Sequence, residues 1–362
     1  MKHTFGIEEE YFLVDAKSYF PTPVPTSLRR ELSAIQSAGT SVQSELLEWQ
    51  LEVVTDIFHR RCDALEALVE RRQKMDAICR SEGYLLLAVG TPVILPRQRK
   101  VTHSDRYDQI HRFVPGIVRD HFISGLHIHI GIPDVSVGIR AMNVLRLWLP
   151  KLAAISANSP LWDGELSGFE SWRTVHYRRW SVIGIPPAFV DVEHYKAHRE
   201  AILSTSALLD SRHIGWAVRL SERHPTIEIR VADSQLTAGE SVAYAVLVRA
   251  LVESALEKHV PMLSPHEELL DLSLWQAAKS GLMWPHYDSL SGRLLDAEGI
   301  TSSLLEFTGQ KLECHGDFDY VQSYFAALHR RGNGAQRQRL SWEQGGVNLV
   351  AEVAAEQFAA DL

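Results

Sequence analysis

Three short segments of this chain alternate in hydropathy with period two, and each leaves two chemically capable side chains on its polar face. Successive residues of a strand point to opposite sides of a sheet. In Phe5–Asp15, Glu8 and Glu10 therefore share one face, while Ile7, Glu9, Tyr11 and Leu13 share the other. In the segment from Gly125 to Ile132, His127 and His129 lie opposite Leu126, Ile128 and Ile130. In the segment from Thr226 to Asp233, Glu228 and Arg230 share a face, and Ile227, Ile229 and Val231 face the core.

Each segment alone admits an ordinary reading: a charged edge strand, a pair of satisfied histidines, or a surface ion pair. In one sheet, the three polar faces would converge on a platform carrying Glu8, Glu10, His127, Glu228 and Arg230. The segment from Glu45 to Glu52 adds carboxylates, with Gln50 and Glu52 on one strand face. Glu45 and Glu52 would point to opposite faces of a continuous strand, so a bend is required between them. Carboxylates with one or two imidazoles suit hard divalent ions such as Mg²⁺ or Mn²⁺. Two or more such ions would suit phosphoryl transfer.

Around these strands the pattern is α+β, without the regular alternation of a doubly wound fold. Helices are expected at Cys62–Glu82, with Gly83 in a left-handed conformation at its end, and at Asp105–Phe113, interrupted at Pro115. Val137–Ala157 reads as one long helix, and Val192–Leu209 as another. Tyr84–Val89 reads as a buried strand, and Gly215–Leu220 pairs with Thr226–Ala232. The stretch from Leu161 to Pro187, rich in Gly, Trp and Arg, reads as an ordered functional loop. From about residue 239 helices dominate: Ser241–His259, Glu267–Gly281, Ser302–Glu313, Phe318–Arg330 and Gln344–Ala360. No linker divides the chain, so residues 1–362 are expected to form a single catalytic domain.

Charge narrows the partners. The 37 Lys and Arg against 45 Asp and Glu give a net charge of −8, with no long basic run. That argues against nucleic-acid binding and against docking on anionic membranes. An acidic protein can still bind a nucleotide when metal ions invert the local field. Three cysteines in no zinc or redox pattern, and an N-terminus without an apolar signal core, point to a reducing cytoplasmic setting.

Nucleotide-binding loops of the Gly-x-x-x-x-Gly-Lys and Gly-x-Gly-x-x-Gly types are absent, as are a nucleophile elbow and a zinc helix. Phosphates would therefore meet metals and arginines. Candidates are Arg173, Arg178 and Arg179 in the Trp-rich stretch, and Arg337 and Arg339 further on; the alternative for each is a solvated surface charge.

The run Phe5-Gly6-Ile7-Glu8-Glu9-Glu10-Tyr11-Phe12-Leu13-Val14-Asp15 resembles the opening of the glutamate–cysteine ligase type 2 family, the carboxylate–amine ligases. Gly125 to Gly131, Ser156 to Pro160 and Thr226 to Asp233 match in order and spacing. The resemblance implies a glutamine-synthetase-like fold, a curved antiparallel sheet with helices on its outer face and a helical C-terminal region. It implies ATP-dependent joining of glutamate, through a γ-glutamyl phosphate, to the amine of cysteine or a similar compound, and a homo-oligomer. By motif match, Glu8, Glu10, Glu45, Glu52, His127 and Glu228 would hold Mg²⁺ or Mn²⁺, with His129 in support. Glu228 and Arg230 would act at the transferred phosphoryl group, and Arg173, Arg178, Arg337 and Arg339 would bind the nucleotide. Two other readings stay open: a metal-dependent amidohydrolase, since His-x-His on a strand suits a catalytic metal, and a non-catalytic ligand-binding relative.

Overall fold

The computed structural model describes residues 3–35, 40–97, 99–258 and 266–360. The expected strands come together in one seven-stranded antiparallel sheet, except that of Gly215–Leu220 only Val218–Leu220 joins it, while Gly215–Trp216 pairs in parallel with Ile183–Gly184. Its members are β1 (Phe5–Asp15), β2 (Thr40–Ser44), β3 (Gln50–Thr55), β4 (Tyr84–Leu87), β5 (Gly125–Gly131), β6 (Val218–Leu220) and β7 (Thr226–Asp233). The order is β6-β7-β5-β1-β3-β2. Phe12 pairs with Gln50 of β3 and with Leu87 of β4, so β4 takes the edge of β1 that β5 leaves free.

Alternation along β1 builds two cores. Ile7, Tyr11 and Leu13 enter the main one, beneath the helix Ala238–Glu257. That helix is buried on every side from Ala238 to Ala255, as expected of a helix covered by both sheet and other helices. On the other face Glu8 and Glu10 are followed by Phe12 and Val14, which enter a second core with Trp49, Leu87 and the C-terminal residues Val350 and Ala354. The polar stretch of this face thus ends where the last helix covers it.

Glu9 lies on the apolar face and is fully buried. An unpaired carboxylate there would be prohibitively costly. Arg72, from the helix Arg61–Ser81, meets it in a two-pronged ion pair at 2.6 and 3.2 Å. The hydroxyls of Tyr11 and Ser241 also donate to Glu9, while Arg72 donates to the carbonyls of Gln235 and Leu236 at 3.0 Å. One buried network therefore ties β1 to two helices and to the segment after β7.

Several boundaries differ from the sequence reading. The expected helix over residues 137–157 is two, Val135–Leu145 and Leu149–Ile155. Pro150 sits in the first turn of the second, where its missing N–H costs nothing. The helix expected from Ser241 starts at Ala238, because Thr237 and Glu240 form a reciprocal capping box. Its expected end, His259, lies outside the described residues. The last helix begins at Gly334 rather than Gln344, capped by Asn333 and Gln336, and kinks at Gly345–Gly346, where Gly346 takes φ +65°. Gly83 has the expected left-handed conformation, φ +81°. Glu45 and Glu52 lie on no continuous strand: β2 and β3 form a hairpin, and Glu45 sits in the connection between them. The bend the carboxylates require is a full reversal of the chain.

The Glu9–Arg72 pair yields a stability prediction. Arg72→Met leaves a buried carboxylate without its counterion and should cost about 3–5 kcal/mol in urea unfolding. Glu9→Gln with Arg72→Met should recover most of that loss. A single-variant loss below about 1 kcal/mol would show that the pair does not hold these elements together.

Candidate active site

β1 runs between β5 and β3, and pairing brings the polar residues into line. Glu8 lies opposite His127, Glu10 opposite Glu52, and Glu228 opposite His129. The β5–β7 ladder contains one irregularity: Ile229 pairs with Ile128 and Ala232 with Leu126, so Arg230 and Val231 together face His127. This bulge breaks the strict alternation expected of β7. Bulges re-aim side chains at functional sites, and here the Arg230 guanidinium donates to Glu228 and to Tyr177 Oη at 3.4 Å and lies 3.5 Å from His127 Nδ1.

Two groups of side chains could each hold a cation. Glu8, His129 and Glu228 bring one ligand atom apiece within 4.8 Å of one another, and so do Glu10, Glu45 and Glu52. His127 stands between the groups, its Nδ1 3.3 Å from Glu8 and its Nε2 3.9 Å from Glu10. His129, expected in a supporting place, belongs to the first group: its Nε2 is 3.3 Å from Glu8 and 3.9 Å from Glu228. That nitrogen is buried between the two carboxylates, whereas Nδ1 lies 2.9 Å from the Thr226 hydroxyl. With Nδ1 held by Thr226, Nε2 is the nitrogen that would face a cation, the orientation that a second contact imposes on a metal-bound imidazole. These residues fit a hard divalent ion.

The two groups differ in charge compensation. Burial would raise Glu8, but hydrogen bonds to His127 and His129 hold its carboxyl well below the usual carboxylate range. Burial opposes ionisation of Glu228 as well, yet Arg230 and Arg219 outweigh it; Arg219 donates to it at 2.7 Å. Burial lowers His127 to about 4, with Arg230 adding to the effect, so its ring is neutral at pH 7. At the second group Arg173 and Arg230 oppose burial without outweighing it. Burial and Glu45 push Glu10 up to about 8, and burial and neighbouring carboxylates raise Glu52 well above its ordinary value. Glu45 is raised too, mainly by burial. Carboxylates so placed bind protons more tightly than free ones, and a cation would relieve their repulsion.

The second group opens, through Glu10 and Glu45, into a cavity also lined by Tyr107, His121, His127, Arg173, Tyr177, Trp180 and Arg230, among others. Arg173 is buried in a slot over Gly125, where a Cβ would fall 2.3 Å from its guanidinium. It donates to the Arg230 carbonyl at 3.2 Å. The segment from Leu161 to Pro187 is ordered, as expected. Its short helix Trp172–Tyr177 supplies Arg173 and Tyr177, and the turn after that helix supplies Trp180.

The other expected arginines do not reach this cavity. Arg178 pairs with Asp271 and borders a smaller neighbouring pocket, and Arg179 donates to the Asp120 carbonyl at 2.8 Å. Arg337 pairs with Glu240 and Arg339 with Glu170, as internal ties of the C-terminal helix. Conversely Arg106, Arg212 and His213 line the cavity, although no motif singles them out. Arg106 falls within the helix Asp105–Phe113 like any surface arginine, and Arg212 and His213 occupy a single turn. Only the tertiary fold distinguishes them.

The sequence profile of glutamate–cysteine ligase family 2 matches residues 4–353. The chain belongs to glutamate–cysteine ligase family 2. With that family come the ATP-dependent carboxylate–amine ligase class and the glutamine-synthetase-like fold anticipated from the strand motifs. A protein of Mycobacterium sp. (strain KMS) named "Putative glutamate--cysteine ligase 2-2" is 34% identical over 360 residues, covering 96% of this chain and 98% of its own. A relative in Nocardia farcinica (strain IFM 10152), named "Putative glutamate--cysteine ligase 2-1", is 36% identical over 99% of this chain and 93% of its own. Among solved structures, the glutamate–cysteine ligase of Francisella tularensis in complex with AMP superposes with a TM-score of 0.75 at 13% identity, over 99% of this chain and 89% of that one. The bifunctional glutathione synthetase of Pasteurella multocida gives 0.72 at 20% identity. This chain is covered over 99% in that match and spans about half, 52%, of the bifunctional enzyme.

Charge compensation sets the pH response expected of the metal-free protein. A carboxyl that binds its proton more tightly folded than unfolded stabilises at low pH, and that contribution is lost as pH rises. For Glu10 the window runs from the ordinary value near 4.5 to about 8. The contributions of Glu8 and Glu228, which are depressed, change only at more acid pH. The contribution of Glu10 to the unfolding free energy should therefore fall between about pH 4.5 and 8, and Mn²⁺ should restore more stability at pH 8 than at pH 5. Denaturation of the parent and of Glu10→Gln at fixed pH, with and without Mn²⁺, reads both effects, and a difference between them that is flat with pH, with no metal effect, would overturn the assignment of the second group.

Proposed function

We propose that this family member joins the γ-carboxylate of glutamate to the amine of cysteine or a related amino compound, using ATP and Mg²⁺ or Mn²⁺. The carboxylate oxygen would take the terminal phosphoryl group, releasing ADP. The amine nitrogen would then attack the acyl carbon, the C–N bond forming as the C–O bond to phosphate breaks and inorganic phosphate leaves. What carries the reading is the meeting of Glu10 and Glu45, from one cation-sized carboxylate group, with His127, Arg173 and Arg230 on one cavity, while Arg230 also pairs with Glu228 of the other group. The first cation would be held by Glu8, His129 and Glu228, and the second by Glu10, Glu45 and Glu52, with His127 between them. Bound divalent ions supply charge neutralisation to a phosphoryl group.

The chain's own residues have distinct tasks. Arg230, fixed by Glu228 and Tyr177, would present permanent positive charge where phosphoryl charge develops. Arg173, locked over Gly125, would orient an anion without losing side-chain entropy on binding. Tyr107, Tyr177 and Trp180 wall the cavity and would exclude the water that hydrolyses an acyl phosphate.

The whole chain is proposed to act as one catalytic domain: the C-terminal helix returns to the first strand, with Phe358 edge-on to Tyr11 at 4.8 Å. Exposed Trp275, Met283 and Trp284 would supply apolar surface for a homo-oligomer. No described helix is long and apolar enough to cross a membrane. The free thiols Cys62, Cys79 and Cys314 suit a cytoplasmic setting.

A coupled ADP-release assay with Mg²⁺, glutamate and a panel of amines tests the reaction. Release that requires both glutamate and an amine is expected. Metal-dependent amide hydrolysis without ATP would favour an amidohydrolase instead, and substrate binding without turnover a non-catalytic relative. Arg230→Lys should lower kcat by ~10²-fold or more with a smaller change in the KM for ATP, because one lysine cannot reproduce the fork. A normal kcat beside a slightly lowered melting temperature would reduce Arg230 to an ion-pair partner. His129→Ala should weaken Mn²⁺ binding more than His127→Ala does, measured by titration calorimetry, and the reverse order would place the metal ligand at His127.

A further inference from the structure

At the solvent side of the cavity, one carboxylate gathers two guanidiniums. Asp210 is gripped by both terminal nitrogens of Arg106. Arg212 stands only near it, at 3.6 Å. Asp210 is itself fixed as the cap of the turn Ser211–His213, accepting from the Arg212 backbone N–H at 2.9 Å. Arg106, Arg212 and His213 line the same cavity as Glu10, Glu45 and Arg230. Two arginines against one aspartate leave an unbalanced positive charge, and Arg212 carries it with its side chain 41% exposed.

His213 adds a second and independent observation. Its side chain is nine-tenths buried, yet both ring nitrogens lack a hydrogen-bond partner. Asp210 is too far for one, 3.9 Å from Nδ1. Its ring lies nearly parallel to Trp180, at 17° and 6.1 Å between centroids, which fixes its plane. Burial, with Arg106 and Arg212 nearby, lowers its affinity for a proton. A buried neutral imidazole without partners is costly unless something supplies them.

From this placement we infer that Arg212 and His213, with Arg106 held behind them by Asp210, form a subsite for a substrate carboxylate remote from the reacting centre. The inference rests on the ligase reading and assigns the residues that select an amino-acid substrate. One excess positive charge and a neutral N–H donor match a monoanion. A carboxylate takes a guanidinium fork and a ring N–H at once, whereas the more highly charged phosphates belong with the cation groups. The carboxylate has two sources of the same chemistry: the α-carboxylate of the acyl donor, or that of the amine acceptor.

The test compares Arg212→Gln with the parent enzyme, using full substrates and analogues that lack one carboxylate. Because Arg212 is at the surface, folding should be retained, and a thermal melt checks this. The KM for one substrate should rise about 10- to 100-fold, the scale for one charge-assisted hydrogen bond, with little change in kcat. The penalty should vanish with the analogue that lacks the contacting group: 4-aminobutyrate in place of glutamate if the donor supplies it, cysteamine in place of cysteine if the acceptor does. A penalty that persists with both analogues, or that falls on ATP alone, would overturn the subsite. Calorimetric binding of glutamate and of cysteine to parent and variant reads the same contact without turnover. A silent parent enzyme that binds either amino acid through Arg212 therefore sinks the ligase reading and keeps the subsite. An active parent with an indifferent variant does the reverse.

Discussion

Like charge held at close quarters is what the rest of this molecule is arranged around. Glu8, Glu10, Glu45, Glu52 and Glu228 converge from four chain segments onto one face of a sheet, largely out of water. Mutual repulsion of that kind opposes folding. The fold offsets it in part with Arg219, Arg230 and two histidines around Glu8 and Glu228, and leaves the other three carboxylates with raised affinity for protons. The rigidity needed to keep them together comes from the opposite face, where an apolar layer and the Glu9–Arg72 network anchor the same strand. Site and core are thus two sides of one alternation.

The arrangement also separates labour along the cavity. Around Glu10, Glu45 and Glu52 ionisable groups outnumber their counterions and are suited to cations, while around Asp210 arginines outnumber carboxylates and are suited to anions. Tyr107, Tyr177 and Trp180 line the same cavity, aromatic walls that give shape without adding charge. Such a gradient aligns any substrate carrying both a reacting carboxylate and a second anionic group before any chemistry begins.

What can be read from the sequence is whatever a local period encodes. The pairs on β1, β5 and β7 are visible because residues two apart share a face, and the structure brings all three strands together. The placement of Glu9 on the apolar face comes from the same rule, although its partner Arg72 sits on a distant helix and gives no sign. Choosing between His127 and His129 is beyond periodicity, because both point the same way; cross-strand register and the Thr226 hydroxyl set them apart. Arg337 and Arg339 look like phosphate ligands beside a glycine-rich stretch, and long-range acidic partners take them elsewhere. Arg106, Arg212 and His213 have no local signature, since their common feature is a cavity made by segments a hundred residues apart. The helix starts at Ala238 and Gly334 escape apolar spacing, because a capping box sets each boundary.

The bulge opposite His127 has a consequence for the geometry of everything downstream of it. In an unbroken strand Asp233 would share the face of Ile227 and Ile229. Two residues opposing one reverse that parity, so Ala232 takes the apolar side and Asp233 the cavity side. There Asp233 receives the backbone N–H of Asn158 and the hydroxyls of Ser159 and Ser171, pinning the loop that carries Arg173. A single extra residue thus acts as a change of phase: it lets one strand serve Glu228 before the bulge and Asp233 after it on the same side. Side chains along β7 can be exchanged within limits, but the length of the strand between those two acids is fixed, because shortening it by one would turn the anchor of the loop inward and leave Arg173 without a seat.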